Sequence, residues 1–156
     1  MSTAKRLILL AVLLLLPACA STPQSPTPRP ASASDAAADR AADNALAMVG
    51  KPYRYGGNNP AGFDCSGLVQ YSYGKAGVRL PRDTQALRRL AQPVRTRDLR
   101  RGDLLFFDQE GKKSSHVGIY LGDNRFVHAP STGGRVRTDG LDAAYWRRHL
   151  VEVKRI

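Results

Sequence analysis

Phe63-Asp64-Cys65-Ser66-Gly67-Leu68-Val69 decides how the rest of this chain is read. A turn-rich run, Gly56-Gly57-Asn58-Asn59-Pro60, leads into it. Leu68, Val69, Tyr73 and Ala76 follow at helical spacing, and Gly77 is a stop signal. Cys65 therefore falls where loop gives way to helix, with Asp64 placed to cap. The unpaired N–H groups and partial positive charge of a helix N-terminus favour a thiolate. Small Ser66 and Gly67 allow close approach by a ligand, and backbone N–H groups there are suited to an oxyanion. A lone cysteine is more often core than nucleophile, so the partners of this thiol matter.

The one other cysteine, Cys19, closes an export signal. Lys5 and Arg6 precede ten uninterrupted apolar residues, Leu7 to Leu16. A membrane-spanning helix needs about 20, so residues 1–18 read as a signal peptide. Leu16-Pro17-Ala18-Cys19 matches a lipobox, in which the cysteine is acylated and becomes the new N-terminus, although Pro17 replaces the small or hydroxylated residue usual there. Cys19 is then expected to be consumed by lipid, the alternative being a plain secreted protein cut near Ala18 or Ala20, and an idle thiol at Cys65 would not survive an oxidising compartment. Residues 19–34 are nearly all Ala, Ser, Thr, Pro and Gln, an extended tether that cannot form a core. Removing Lys5 and Arg6 from 24 basic residues leaves 22 against 13 acidic, a net charge of +9. A basic exported protein suits anionic membrane or carboxylate-rich wall, and export excludes nucleic acid.

The globular domain is expected over 35–156. A helix capped near Ser34-Asp35 carries Ala37, Ala41, Leu46 and Val49 and ends at Gly50 and Pro52. Asp83 or Thr84 caps a short helix through Leu90. The period then changes: Asp103–Phe107, Val117–Leu121, Arg125–Ala129, Gly134–Thr138 and Leu150–Ile156 read as strands, separated by turns such as Gly122-Asp123-Asn124. Trp146, with Tyr145 and Leu141, anchors a last helix on the core. Helices followed by a meander of strands give an α+β fold.

A thiol nucleophile needs a base, and the base an orienting group. His116 begins the Val117-Gly118-Ile119-Tyr120 strand after a polar stretch, Lys112–Ser115, expected to be a loop that leaves the ring accessible. His128 lies in the next strand, so a short hairpin would bring the two rings together. His149, between Arg148 and Leu150, has no such placement. Cys65, His116 and His128 lack the close paired spacing of a zinc site. No metal and no other cofactor is expected.

Taken together, the motifs resemble the NlpC-type family of cell-wall cysteine peptidases from about Ala47 to Val153. Pro52-Tyr53-Arg54-Tyr55-Gly56-Gly57 is similar to its Tyr-x-x-Gly-Gly motif, and Asp64-Cys65-Ser66-Gly67-Leu68-Val69 to its nucleophile segment. Leu80-Pro81-Arg82-Asp83-Thr84, Leu99-Arg100-Arg101-Gly102-Asp103-Leu104, His116-Val117-Gly118-Ile119-Tyr120-Leu121-Gly122 and Phe126-Val127-His128-Ala129 follow in the family order. The lipobox and short tether bring it nearest the small lipoprotein endopeptidases of Gram-negative bacteria.

The resemblance implies a papain-like fold and hydrolysis of peptidoglycan stem peptides. Cys65 would be nucleophile, His116 base and later acid, and His128 the orienting residue. Tyr53 would assist the oxyanion, and Asp64 and Ser66 would contact substrate. Arg82 would meet a substrate carboxylate or serve a structural ion pair. The implied bond is the D-alanyl–diaminopimelate cross-link, the alternative the γ-D-glutamyl–diaminopimelate bond. A wall-binding lipoprotein without catalysis, and acyl transfer to lipid, are the competing classes. The protein is expected to be a monomer held by its Cys19 lipid, most simply at the outer membrane facing the periplasm because Ala20 is not aspartate. A regulatory adaptor or protease is expected to restrain it.

Overall fold

The structure is a computed structural model that describes residues 32–109, 111–131 and 134–156. The signal segment, Cys19 and the tether through residue 31 lie outside the described residues. Among the described residues no helix is long and apolar enough to cross a membrane.

Helix α1, Ala33–Leu46, owes its existence to alanine, the strongest helix former. Its cap is Ser32, two residues before the expected one. The Ser32 hydroxyl accepts the Asp35 N–H at 3.1 Å, and the Asp35 carboxylate accepts the Ser32 N–H at 3.1 Å. Asp35 thus closes the box from inside the first turn. Strands β1, Asn58–Asn59, and β2, Gly62–Phe63, pair in a small hairpin just before helix α2, Cys65–Lys75. Helix α3, Thr84–Leu90, is capped by Asp83, whose carboxylate accepts the Ala86 N–H at 2.8 Å.

Strand β3, Gln92–Pro93, and a 3-10 turn, Thr96–Asp98, precede the main strands: β4 Leu104–Gln109, β5 Lys112–Gly122, β6 Arg125–His128 and β7 Arg137–Gly140. Helix α4, Ala144–His149, and strand β8, Leu150–Arg155, complete the domain. The six strands form one sheet in the order β3-β8-β4-β5-β6-β7, antiparallel at every pairing. The α+β class expected from the pattern change is the one observed.

Each face of the sheet has its own core. Leu104, Phe106, Val117, Ile119, Val127 and Ala129 pack with the buried alanines of α1 and with Leu68, Val69 and Tyr73 of α2. Leu105, Phe107, Tyr120 and Phe126 pack with Leu141 and Trp146. Tyr145, expected beside Trp146 in the core, is half exposed.

Two strands depart from expectation. Residues 134–136 do not join the sheet. Gly134 and Val136 accept the backbone N–H groups of Tyr53 and Gly50, and Pro52 bridges Arg135, so that stretch pairs with 50–53 and β7 begins only at Arg137. The polar run 112–115 is strand rather than loop, with Lys112 paired to Gln109. The two-residue strands are too short to show any period in sequence.

Candidate active site

Cys65 is the first residue of α2, and the Asp64 side chain caps the helix by accepting the Gly67 N–H at 2.7 Å. The first turn is pressed against the preceding loop. A Cβ on Gly67 would stand 1.9 Å from the Gly57 carbonyl oxygen, so only glycine allows that approach. Gly67 N–H is therefore spent on the cap and is not one of the groups open to an oxyanion.

Three polar groups meet the sulfur. Thr84 Oγ1 lies 3.8 Å from Sγ, and the backbone N–H groups of Val117 and Ser66 also point to it. Burial nevertheless pushes the Cys65 thiol above its ordinary range; these donors oppose that rise, and Asp64 adds to it. The acidified thiol expected at a helix N-terminus is not the resting state, because loss of water outweighs the donors. Thr84 carried no signal beyond its expected place at a helix start.

The Asp64 carboxylate is fully engaged. Arg82 grips it through both terminal nitrogens, at 2.9 Å to Oδ1 and 2.6 Å to Oδ2, and the Gly56 N–H donates to Oδ2 at 2.9 Å. Arg82 also donates to the Ser66 hydroxyl at 2.9 Å and the Gly57 carbonyl at 3.2 Å. Its guanidinium is raised first by the hydrogen bond to Asp64. Of the two expected roles, the structural ion pair is present, and it ties the loop before Cys65 to the loop before α3.

His116 lies within β5 opposite Phe107, and only 3 % of it is exposed. The accessible ring expected after a loop is instead walled in, since the strand continues through 112–115. The β5–β6 turn is as short as its Gly-Asp-Asn sequence suggests: Asp123 and Asn124 sit at φ 48° and 55° between paired Gly122 and Arg125. Ile119 pairs with Val127, which puts His128 opposite Gly118 and diagonal to His116 on the same face. Gly118 leaves room there, because a Cβ would come within 2.7 Å of the Phe126 ring. The rings meet with His116 Nε2 2.8 Å from His128 Nδ1. His116 thus has Nδ1 left for the cleft.

Sequence reading missed what stands behind His128. Its Nε2 lies 3.0 Å from Asp139 Oδ2, which also accepts the Trp146 indole N–H at 3.0 Å and Arg137 Nη2–H at 3.1 Å. His128 pairs with Arg137 and Phe126 with Asp139, so the carboxylate sits diagonally across β6 and β7. A strand expected to end at Thr138 leaves Asp139 outside the sheet, and that hid it.

Phe107, Phe126 and Trp146 pack around the two imidazoles, with Trp146 stacked on His116 at 5.8 Å. Burial lowers His116 to about 3, helped by neighbouring His128 and Arg137 and opposed by Asp139. Burial also lowers His128 to about 4 against the pull of Asp139. Both rings are neutral at pH 7. Asp139 is pushed up by burial, but the hydrogen bonds of Arg137 and His128 outweigh this and hold it below its ordinary value. His149 is apart from this group, stacked on Tyr145 within α4.

Cys65 and His116 line one cavity of about 270 Å³ with Tyr53, Gln109, Lys112, Ser115, Ala129 and Ser131. A second hollow of about 550 Å³ continues past Cys65 to Asp64, Ser66, Arg82 and Thr84. Tyr53 borders both. Its backbone N–H is fixed to Gly134, and burial, then Cys65 and Asp64, raise its hydroxyl so that it stays a donor. The cleft therefore presents a thiol, a neutral imidazole and a phenolic donor along one groove, the equipment of acyl transfer. Among the described residues no three His, Cys, Asp or Glu are grouped to hold a metal ion.

The chain is 40% identical over 116 residues to the murein DD-endopeptidase MepH of Escherichia coli (strain K12), covering 71% of this chain and 43% of MepH. It is 44% identical over 115 residues to the bifunctional muramidase/DL-endopeptidase CwlT of Bacillus subtilis (strain 168), covering 72% and 34%. It thus spans less than half the length of these two curated relatives. Among solved structures, an NLP/P60 family protein of Staphylococcus aureus, described as similar to lipoprotein, superposes with a TM-score of 0.69 at 38% identity, over 86% of this chain and 45% of that one. The P60 domain of a Mycobacterium avium paratuberculosis antigen gives 0.65 at 28% identity, over 80% and 96%. Residues 50–155, from the loop that holds Tyr53 to the end of β8, match the family model, and the chain belongs to the NlpC/P60 family.

Proposed function

We propose that this protein is a cysteine peptidase that hydrolyses stem-peptide bonds of peptidoglycan. One observation carries the reading: Cys65, at the mouth of α2, and His116, hydrogen-bonded to His128, line the same cleft. The thiol and imidazole both rest neutral, so attack and proton transfer proceed together. As Sγ bonds to the scissile carbonyl carbon, the thiol proton passes to His116 Nδ1. The carbonyl oxygen takes up negative charge, which the Tyr53 hydroxyl and the Cys65 backbone N–H would receive. His116 then gives the proton to the leaving amine, leaving an acyl-Cys65 thioester that water hydrolyses with His116 again as base. His128 holds the His116 ring throughout.

Because the leaving amine must take its proton from His116, the smaller cavity beside that ring holds the leaving residue. The hollow by Asp64, Ser66 and Arg82 holds the acyl side. Asp64, occupied by Arg82, Gly56 and Gly67, shapes that hollow rather than binding substrate directly, and the Ser66 hydroxyl remains the group able to contact it.

The bond we assign is the D-alanyl–diaminopimelate cross-link. MepH, named a DD-endopeptidase, supports it, as does the lipobox at Cys19, which would hold the domain at the outer membrane facing the wall. The γ-D-glutamyl–diaminopimelate bond is the second reading, favoured by CwlT, named a DL-endopeptidase. Digestion of purified sacculi with mass spectrometry of the new ends separates them. Release of cross-linked dimers as monomers ending in D-alanine supports the first. Free γ-D-glutamyl ends support the second, and undiminished hydrolysis by Cys65→Ala would refute the mechanism.

A further inference from the structure

We propose that Asp139 is a positioning residue that fixes the tautomer of His116 through His128, and so keeps His116 Nδ1, the nitrogen not bonded to His128, free to take a proton. The proposal rests on the reading of Cys65 and His116 as nucleophile and base.

An ionised carboxylate only accepts hydrogen bonds. Everything that touches Asp139 agrees with this. Trp146 donates its indole N–H at 3.0 Å, and Arg137 donates from Nε at 3.1 and 3.2 Å and from Nη2 at 3.1 Å. The remaining neighbour, His128 Nε2 at 3.0 Å, must therefore carry a proton. His128 is fully buried and neutral, so with Nε2 protonated its Nδ1 is bare. Nδ1 faces His116 Nε2 at 2.8 Å, and a bond this short between two ring nitrogens needs one proton. His116 must supply it. His116 is also neutral, so a proton on Nε2 leaves Nδ1 bare, the state a general base requires.

Removing the carboxylate breaks the sequence at its first step. His128 is then free to carry its proton on Nδ1 instead. Two N–H groups would oppose each other across 2.8 Å unless His116 shifted its own proton to Nδ1. That shift fills the nitrogen that must receive the Cys65 proton. The geometry thus couples a carboxylate on β7 to a thiol on α2 through two rings, with no contact between Asp139 and the cleft.

The location fits a dedicated part. Asp139 lies diagonal to His128 on the paired strand, and the Trp146 ring that holds it also stacks on His116. The aromatic cover excludes water that would otherwise offer His128 an alternative partner.

The test uses the full chain with 15N-labelled histidine. At pH 7 the wild type should show both buried rings neutral with the proton on Nε2. Asp139→Ala should show His116 partly or wholly in the Nδ1–H form, with kcat lower by about 10²-fold and KM within about twofold. Asp139→Asn keeps an acceptor oxygen but also brings an amide donor, so it should give a mixed tautomer population and a loss of about tenfold; it replaces the alanine variant if that one fails to fold. A folded variant that loses kcat while His116 keeps the wild-type tautomer would overturn the proposal, since the role would then be structural. So would unchanged tautomer with unchanged kcat. A wild-type protein that leaves sacculi and muropeptides intact would remove the peptidase reading, while the tautomer measurement would still decide the coupling.

Discussion

The two faces of the sheet prepare the two halves of the chemistry by opposite means. On one face, five buried alanines of α1 let helices pack closely, and the polar end of α2 brings Cys65 among hydrogen-bond donors. On the other, Phe107, Phe126 and Trp146 enclose the two histidines in an apolar box whose nearest carboxylate stands behind the second ring. Cys65 is held neutral despite donors that favour its anion. The histidines are held neutral because their cation is denied water. With Cys65 and His116 in the proposed roles, such a site favours a proton transfer completed in the transition state, when an oxyanion forms, over an ion pair stored at rest.

The largest effect should come from the aromatic face. His116→Ala removes the only imidazole that lines the cleft beside the thiol among the described residues, and wall hydrolysis should fall about 10⁴-fold, at the upper end of a general base's contribution. Retention of more than a tenth of wild-type activity would mean that another group takes the proton.

Trp146→Ala should cost about 3–5 kcal/mol in denaturant unfolding, because the indole is buried and contacts both histidines. Water admitted to the box should also raise the pKa of His128 and His116, read by NMR titration. A stability loss without that rise would show that the box does not govern their basicity.

His128→Ala should retain activity, lower by about 10²-fold, because His116 loses its orienting partner and keeps its strand. Loss as deep as that of His116→Ala would make the second ring an equal participant.

The smallest effect sharpens the electrostatic half of the comparison. Both buried rings stay neutral in the folded protein, whereas in the unfolded chain they take up protons below about pH 6.5. The unfolded state therefore binds more protons as pH falls, and stability declines from about 6.5 toward the folded values, by up to about 1.4 kcal/mol per pH unit per ring. Urea midpoints between pH 7 and 5 should fall less steeply in His128→Ala than in the wild type. Equal slopes would show that the second ring is not held neutral by the fold.

Much of this was readable along the chain, where chemistry and structure are local. Asp64-Cys65 at a helix start follows from a cap residue before helical spacing, and the closeness of His116 and His128 follows from a Gly-Asp-Asn turn that admits only a tight hairpin. Reading failed where the deciding contact is distant. The 134–136 stretch looks like a strand but pairs with 50–53, so β7 starts late and Asp139 went unnoticed. The double grip of Arg82 on Asp64 joins residues 18 apart, and nothing local distinguishes it from a substrate contact.

The sequence by itself determined the mount of Cys65 at a helix start, the α+β order of elements and the pairing of the histidine strands, because caps, turns and periodicity act within a few residues. Only the tertiary structure decided that thiol and imidazoles rest neutral, that Arg82 faces inward and that Asp139 stands behind His128. Those outcomes depend on how much water each group loses and on which polar atoms it meets once both faces of the sheet are covered, and neither is fixed until the chain has closed.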